Sequence, residues 1–153
     1  MSTTRELRAE VEVDAPVERV WEVVTDTSVL VRSSPELVAM TPLLPGGFRK
    51  GQQYIGWNRR KLVVWPTRNV VIEFEPHKRV AWDTKTSGAR WAFELQPTQT
   101  GTKLAQRRSV PGKLNPIGRF FAATLLGGGP NHADELETAL GTTLESIKAI
   151  AEA

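Results

Sequence analysis

The sequence predicts an α+β fold in which one antiparallel β-sheet packs against a single long helix at the C-terminal end. Short segments in which polar and apolar residues alternate fill the chain between residues 36 and 110, and this period of two is typical of half-buried strands. The links between these segments are short and contain Pro and Gly, which favours strands that pair in chain order. A helical apolar pattern from residue 130 to about residue 152 predicts the long helix.

The composition is that of an ordinary globular protein, so we expect one domain spanning residues 1–153. Of the 153 residues, 40% are hydrophobic and 24% are charged. Folding at this size removes roughly 70% of the extended chain's surface from water. The chain has no Cys and no apolar run approaching the ~20 residues of a membrane span. We expect a cytoplasmic monomer or homodimer without stable membrane insertion. The net charge of +3 is too small to favour nucleic acid.

The N-terminal elements are a strand and one or two short helices. Residues 6–13 alternate, and their apolar members share one face: Leu7, Ala9, Val11 and Val13. Asp14 and Pro16 then predict a helix start, because Asp accepts from unpaired amides and Pro needs no N–H partner in the first turn. The helix has the apolar stripe Val17, Val20, Trp21 and Val24. A second helical turn is predicted over residues 29–33, before Pro35.

The middle of the chain predicts six further strands, which makes about seven in all. Their approximate bounds are 37–43, 52–57, 62–75, 80–84, 90–95 and 103–110. Alternation predicts that the sheet has one solvent-exposed face and one buried, aromatic face, called here the dry face. The residues predicted on the dry face are Val70, Ile72, Phe74, Val80, Trp82, Thr84, Trp91, Phe93 and Leu95. Pro66 is expected to mark an edge, a bulge or a break in its strand.

The last strand brings two polar side chains to the dry face. Leu104 points inward, and the same parity places Gln106 and Arg108 inward as well. An apolar cavity with one or two convergent polar groups is the usual form of a small-molecule site, and Arg can hold a carboxylate or enolate oxygen. The alternatives are a bulge that reverses the parity and a pairing of Arg108 near the strand end.

The segment before the final helix, residues 111–129, is rich in Gly and Pro around an apolar centre that includes Phe120. Residues 114–126 form either a gate over a cavity, with glycines as hinges, or a fixed helix that completes the core. The final helix has a buried stripe, which His132 extends by one turn towards the helix start. The stripe consists of Leu136, Leu140, Thr143, Leu144, Ile147 and Ala151.

Motifs spread along the chain indicate a family resemblance. They are Val13, Ala15-Pro16, Val20-Trp21, Val24 and Asp26; Glu75-Pro76 and Arg79-Val80-Ala81-Trp82; Trp91 to Leu95, Pro97 and Gly101-Thr102; and Thr143 to Lys148. Together they resemble the START-like, helix-grip superfamily (SRPBCC), and within it the bacterial polyketide cyclase/dehydrase-like group. The resemblance covers nearly the whole chain. It implies a curved antiparallel sheet wrapped around the C-terminal helix, and a cavity that binds lipids, sterols, polyketides or other apolar molecules.

The aromatic side chains are the candidate lining of that cavity. Flat aromatic faces suit planar or sterol-like ligands, although the same side chains also serve to fill a core. The candidate ligand-binding residues are Trp57, Trp65, Trp82, Trp91, Phe93, Gln106, Arg108 and Phe120. Trp21, on the buried stripe of the first helix, is expected in the core.

Candidate catalytic residues are few. Arg108 would stabilise an enolate and His132 would move protons in an aldol cyclisation or dehydration. The alternative is that His132 has no catalytic role and is a helix-capping residue. No pattern predicts a metal site or a bound cofactor, because the chain has two His, no Cys, and no Walker or dinucleotide-binding motif.

We therefore expect binding or carriage of a hydrophobic small molecule between the sheet and the C-terminal helix, with a polyketide cyclase or dehydrase as the alternative. A membrane- or protein-docking module is a third hypothesis. It is suggested by the basic clusters Arg49-Lys50, Arg59-Arg60-Lys61 and Arg107-Arg108. These clusters are otherwise solvated turns, and they do not interleave with aromatic residues as in an RNA-binding sheet.

Overall fold

The structure, a computed structural model, describes residues 6–34, 37–110 and 129–153, in the last segment with side chains from residue 137 onwards. The elements in chain order are β1 (Leu7–Val13), α1 (Val17–Val24), α2 (Thr27–Ser33), β2 (Leu37–Pro42), β3 (Gln53–Arg60), β4 (Val63–Glu75), β5 (Arg79–Thr84), β6 (Ala89–Pro97), β7 (Thr102–Ser109) and α3 (Gly129–Glu152). One curved antiparallel sheet contains all seven strands in the order β1-β7-β6-β5-β4-β3-β2. The predicted α+β helix-grip fold is confirmed.

Helix α2 begins two residues earlier than its apolar pattern suggests. Asp26 precedes it and caps it, because Oδ1 of Asp26 accepts from the backbone N of Ser28 at 2.9 Å and from its hydroxyl at 2.7 Å. These hydrogen bonds hold the pKa of Asp26 below its ordinary value, and the bond from the Ser28 hydroxyl has the largest effect. The cap therefore starts the helix at Thr27, and the predicted turn over residues 29–33 forms the rest of it.

Strand β4 has a bulge that changes which of its side chains face inward. Val71 lies opposite Trp82 and is 2% exposed, but the register shifts between Val71 and Glu73. The bulge places one extra residue in β4, so alternation restarts beyond it. The predicted inward positions of Val70 and Ile72 are therefore wrong, and both residues are only half-buried.

Pro66 lies inside β4, which is a continuous strand at that point. It pairs with Trp57 of β3, whereas β5 pairs with β4 only from Asn69 onwards. In this part of the strand, β3 is therefore the only sheet neighbour among the described residues. A residue without an N–H is tolerated where no second neighbour needs that donor.

Helix α3 runs along the edge strand β1 on the inner face of the sheet. Near its middle, Glu137 accepts from the backbone N of Arg8 at 3.4 Å, and near its end Glu152 accepts from the backbone N of Asp14 at 2.7 Å. The helix advances about 22 Å between these contacts and the strand about 20 Å. The helix and the strand therefore run side by side over nearly equal lengths between these two contacts.

The core lies between α3, the two short helices and the inner face. The predicted helix stripe is buried at all five positions with described side chains: Leu140, Thr143, Leu144, Ile147 and Ala151. Leu144 and Ile147 pack in the main cluster with residues of α1, α2 and the sheet. Trp21 belongs to this cluster and is 8% exposed, so it is a core residue as predicted.

The outer face of the sheet has a ladder of ion pairs. Arg79 bonds to Glu73 with an Nε–Oε2 distance of 2.7 Å and also pairs with Glu94. Glu94 accepts from Arg107 at 3.3 Å, and Arg107 in turn bonds to Glu6 at 2.7 Å. Three small residues are buried on this outer face: Ala81, Ala92 and Ala105. The long charged side chains cover the sheet where these alanines leave room.

Candidate functional site: the inner face of the sheet beneath α3

Strands β6 and β7 place Gln106 and Arg108 on the inner face, next to aromatic residues. Arg108 lies directly opposite Trp91, and Gln106 lies opposite Phe93. Directly opposed residues of an antiparallel pair share a face. Gln106 is 6% exposed and Arg108 is 7% exposed, so the parity predicted for these two residues is confirmed.

The side-chain oxygen of Gln106 is an unused acceptor. It is buried, and no donor of the described residues lies within hydrogen-bond distance of it. Buried polar atoms nearly always have a partner, and leaving one unpaired costs about 1–3 kcal/mol. Such an atom beside the aromatic side chains of the inner face is suited to accept a hydrogen bond from a bound molecule.

Arg108 brings a positive charge to the same surface. Its guanidinium carbon lies 5.9 Å from the centroid of the Trp91 ring, which is within the range of a cation–π contact. Trp91 also packs against Leu7 and Leu140, so β1 and α3 hold the indole from the side. The arrangement offers a planar donor that can bind a carboxylate or another oxygen at the end of an apolar ligand.

A row of aromatic rings continues from this point across the middle of the sheet. The Trp82 ring lies 5.9 Å from Phe93 and 6.0 Å from Phe48, and Phe48 lies 5.3 Å from Tyr54. Burial raises the pKa of the Tyr54 phenol above its ordinary value. The row includes Phe48 and Tyr54, which were not predicted from the sequence, because Phe48 comes from a loop and Tyr54 from a strand without regular alternation.

A buried polar network lies beyond the aromatic row, on the inner face of β3, β4 and β5. The Thr84 hydroxyl donates to Asn69 Oδ1 at 2.7 Å, and Asn69 Nδ2 donates to the Thr67 hydroxyl at 3.2 Å. Asn58 Nδ2 donates to the same hydroxyl at 3.2 Å. Asn69 was not predicted from the sequence, because alternation counted from Phe74 crosses the bulge and places it on the outer face. Counting in twos from Trp65 would have placed Asn69 inward.

Two of the selected tryptophans lie on opposite faces of the sheet. Trp65 is 8% exposed and opposes Asn58, so it shares the inner face. Trp57 opposes Pro66 and is 42% exposed, on the outer face. Trp57 lies within β3, a strand in which polar and apolar residues do not alternate regularly enough to predict which side chains face inward. Trp57 is therefore not part of the inner surface, and its selection as a lining residue is wrong.

Three selections fall outside the described residues. Phe120 and the 114–126 segment lie in the undescribed part of the chain. The backbone of His132 belongs to the first turns of α3, but its side chain is not among those described. Their roles stay predictions.

The other described parts of the chain were compared with a metal site, a membrane span and a surface pocket. Among the described side chains, those of residues 6–34, 37–110 and 137–153, there is no group of three His, Cys, Asp or Glu that could hold a metal ion. Over the same residues, no helix is long and apolar enough to cross a membrane. An open groove of about 490 Å³ lies between the β1–α1 and β6–β7 turns, lined by Asp14, Pro16 and Gly101 among others. This groove lies away from the inner surface.

Solved structures with the same fold extend over nearly the whole chain. The KanY protein is 18% identical, with a TM-score of 0.73 over 98% of this chain and 99% of its own. The Polyketide_cyc-like protein Cgl2372 from Corynebacterium glutamicum is 24% identical, with a TM-score of 0.61 over 96% and 91% of the two chains. The di-domain ARO/CYC BexL from the BE-7585A biosynthetic pathway is 24% identical, with a TM-score of 0.70. All of this chain matches about half, 52%, of that protein.

No curated protein matches the chain. A family model described as "Polyketide cyclase / dehydrase and lipid transport" matches residues 4–148. That match begins before β1 and ends within α3, and it includes every residue of the inner surface described above. The chain therefore belongs to the polyketide cyclase/dehydrase and lipid transport family of the START-like, helix-grip superfamily, and its role is that of a hydrophobic-ligand-binding protein or a polyketide cyclase.

Proposed function

We propose that this protein binds and carries a hydrophobic small molecule with one polar end, on the inner face of the sheet beneath α3. The observation that supports this most strongly is the buried oxygen of Gln106, which accepts no hydrogen bond from the described residues and lies beside Arg108 on an aromatic surface. A buried acceptor without a donor costs folding free energy. A ligand that donates to this oxygen would offset the cost, so a polar group at this position is better explained by binding than by stability.

The two side chains define the polar end of the ligand. Gln106 Oε1 can only accept a hydrogen bond, whereas the Arg108 guanidinium can only donate. A hydroxyl group satisfies both, and so does a phenol or an enol. The rest of the ligand would lie on Trp91, Trp82 and Phe93, whose faces suit a planar or fused-ring body. Burial of apolar surface at about 25 cal/mol per Å² would supply most of the affinity.

Binding of three small naphthalenes tests this proposal. Naphthalene has only the apolar body, 2-naphthol adds a hydroxyl and 2-naphthoate adds a carboxylate, so their affinities separate the polar contacts from the apolar one. We expect wild type to prefer 2-naphthol to naphthalene by roughly 2- to 10-fold, which is the worth of a net hydrogen bond. Gln106→Leu should abolish that preference, and Arg108→Met should reduce the affinity for 2-naphthoate most. Quenching of tryptophan emission reports binding.

The matched control for Gln106→Leu is Gln96→Leu, an exposed glutamine on the outer face of β6. The control should leave all three affinities unchanged. Gln106→Leu should also leave the free energy of unfolding equal or higher, by up to about 1 kcal/mol, because an apolar side chain replaces an unpaired acceptor. If Gln106→Leu lowers the stability and leaves the preference for 2-naphthol intact, Gln106 has only a structural role and the proposal is wrong.

Cyclisation or dehydration of a polyketide-like substrate is the second candidate function, and the family description supports it. Arg108 would stabilise developing negative charge on an enolate oxygen. A neutral His132 would move the proton, since its ordinary pKa lies near neutrality. Turnover of a linear polyketide mimic that falls at least tenfold in Arg108→Met and in His132→Ala would favour catalysis over carriage. Native mass spectrometry of freshly purified protein would favour carriage if it retains an intact ligand.

A further inference from the structure

The basic residues of this protein are unevenly distributed. Residues 37–72 contain Arg49, Lys50, Arg59, Arg60, Lys61 and Arg68 and not one Asp or Glu. The rest of the chain has the other fourteen Lys and Arg together with all seventeen Asp and Glu. Strands β2 and β3 and most of β4 therefore form a positively charged region on a protein that is otherwise slightly acidic.

The tip of the β3–β4 hairpin combines this charge with exposed apolar side chains. Arg60 pairs with Val63, so Lys61 and Leu62 form a two-residue turn. The Leu62 side chain is 93% exposed. Behind it on the outer face, Val64 is 56% exposed and Trp57 is 42% exposed. A leucine, a valine and an indole exposed together are unusual on a soluble surface.

The backbone of the turn is also strained. Lys61 has a φ of +56°, a left-handed backbone conformation that residues other than Gly rarely adopt. In two-residue hairpin turns, a first residue with positive φ is usually Gly, Asn or Asp. A lysine here holds its charge at the tip, next to Leu62, at a cost in backbone energy. Neither Lys61 nor Arg59 forms an ion pair with a carboxylate of the described residues, and Arg59 Nε donates to the backbone oxygen of Lys61 at 3.0 Å.

We propose that this hairpin docks the protein peripherally on an anionic lipid surface. Leu62, Val64 and Trp57 would enter the headgroup region, where indoles favour the boundary between water and hydrocarbon. Arg59, Lys61 and their basic neighbours would lie against the phosphates. The proposal concerns the outer face and the hairpin tip, and it does not depend on a ligand beneath α3.

The exposed side chains favour a lipid surface over nucleic acid and over a second copy of this chain. Nucleic acid would be held by the basic residues, but it offers no apolar interior for a leucine that is 93% exposed. A second copy of this chain would bring six basic residues of the same region against each other, which charge repulsion disfavours. An anionic membrane satisfies both the charge and the apolar tip.

Vesicle flotation tests the proposal with the full-length protein. We expect binding to phosphatidylcholine vesicles that contain about one third phosphatidylglycerol, and at least tenfold weaker binding to phosphatidylcholine alone, because each basic residue near an anionic surface adds about fivefold in affinity. Leu62→Ser should weaken binding by about fivefold or more through the loss of its apolar side chain. Arg59→Glu should weaken it by at least tenfold and make the remaining binding less sensitive to salt.

Each variant has a control with the same chemical change far from the tip. Leu43→Ser replaces another exposed leucine, 49% exposed, beyond the opposite end of the β2–β3 pair. Lys78→Glu makes the same charge change in the β4–β5 turn, about 43 Å along β4 from the hairpin. Both controls should bind anionic vesicles like wild type, and all four variants should keep the wild-type thermal midpoint, since the substituted side chains are exposed.

Several outcomes would overturn the proposal. They are absence of binding to anionic vesicles, equal losses in Lys78→Glu and Arg59→Glu, and unchanged binding in Leu62→Ser. Binding to single-stranded RNA that outcompetes vesicles and is unchanged by Leu62→Ser would assign the basic region to nucleic acid instead. A dimer in sedimentation that Leu62→Ser dissociates, without vesicle binding, would assign the tip to self-association.

Discussion

At Gly101 the backbone of the β6–β7 turn comes close to the end of β1. A Cβ placed on Gly101 would lie 2.1 Å from the carbonyl oxygen of Val13 and 3.1 Å from the backbone N of Ala15. The turn is held in this position by its own hydrogen bonds, in which Thr98 accepts from Gly101 N through its hydroxyl at 3.0 Å. Since both neighbours are backbone, neither can move aside as a side-chain tip could.

Replacing Gly101 by Ala should therefore destabilise the protein. We expect the free energy of unfolding in urea to fall by about 1–3 kcal/mol, the usual cost of forcing extra atoms into a filled space. Gly47→Ala is the control, because a Cβ added there would meet no atom within 4 Å and the φ of Gly47 is not positive. That control should change stability by no more than about 0.5 kcal/mol. Equal effects of the two substitutions would contradict the close approach.

Among the elements, β5 and β6 are joined on the outer face by an ion pair between Asp83 and Arg90. Arg90 Nε donates to Asp83 Oδ1 at 2.7 Å, and a second guanidinium nitrogen donates to Oδ2 at 3.2 Å. The hydrogen bonds from Arg90 hold the pKa of Asp83 below its ordinary value, and burial opposes them. The two residues face each other in the strand register, so the pair helps to fix the alignment of β5 on β6.

This pair should make stability depend on acidity in a defined direction. A carboxyl whose pKa is lowered by folding stabilises the protein above its unfolded pKa of about 3.9. That stabilisation is lost as the pH falls from there through the folded pKa. Between pH 5 and pH 3, wild type should therefore lose more unfolding free energy than Arg90→Gln, by at most about 1 kcal/mol because the pair is partly exposed.

Urea unfolding at several pH values measures this difference, with Lys50→Gln as the control for loss of one positive charge. Lys50 is exposed and has no ion pair with a carboxylate of the described residues. Its variant should follow the wild-type pH dependence. Parallel curves for wild type and Arg90→Gln would contradict the pKa shift of Asp83.

In the molecule as a whole, α3 holds the two short helices and the sheet around one core. Leu144 is 1% exposed and belongs to the main cluster, together with Val20, Leu30 and Phe93. These residues come from α1, α2 and β6, so one side chain of α3 contacts a cluster drawn from three distant segments. Towards the other end of the sheet, the inner surface is instead formed by Arg108, Gln106 and the aromatic row.

Truncation of Leu144 to Ala should thus loosen the whole fold. We expect a loss of about 2–5 kcal/mol in the free energy of unfolding, because the variant loses apolar burial and leaves a cavity. Leu43→Ala, at an exposed leucine, should change stability by less than about 0.5 kcal/mol. Chemical denaturation measures both, and a small effect at Leu144 would show that the core can collapse around the missing atoms.

Much of the inner surface could be predicted from periodicity alone. The alternation in β6 and β7 correctly places Phe93, Gln106 and Arg108 inward, because both strands pair without a register shift through this region. Alternation did not place Trp57 correctly, and it did not place Asn69 when counted from Phe74 across the bulge. Each lies in a part of the sheet where a bulge, a proline or an ambiguous strand start interrupts the count, and an error of one residue moves a side chain to the other face.

Local periodicity was enough to predict the order of the elements, the buried stripe of α3 and the inward polar pair, because these depend on periods of 2 and 3.6 residues that are local properties of the chain. The three-dimensional pairing of the strands was needed to show that Val71 replaces Val70 and Ile72 in the core, that Tyr54 and Phe48 continue the aromatic row, and that Leu62 is exposed at a basic hairpin tip. These features depend on strand register, which is set by pairing between residues far apart in the sequence.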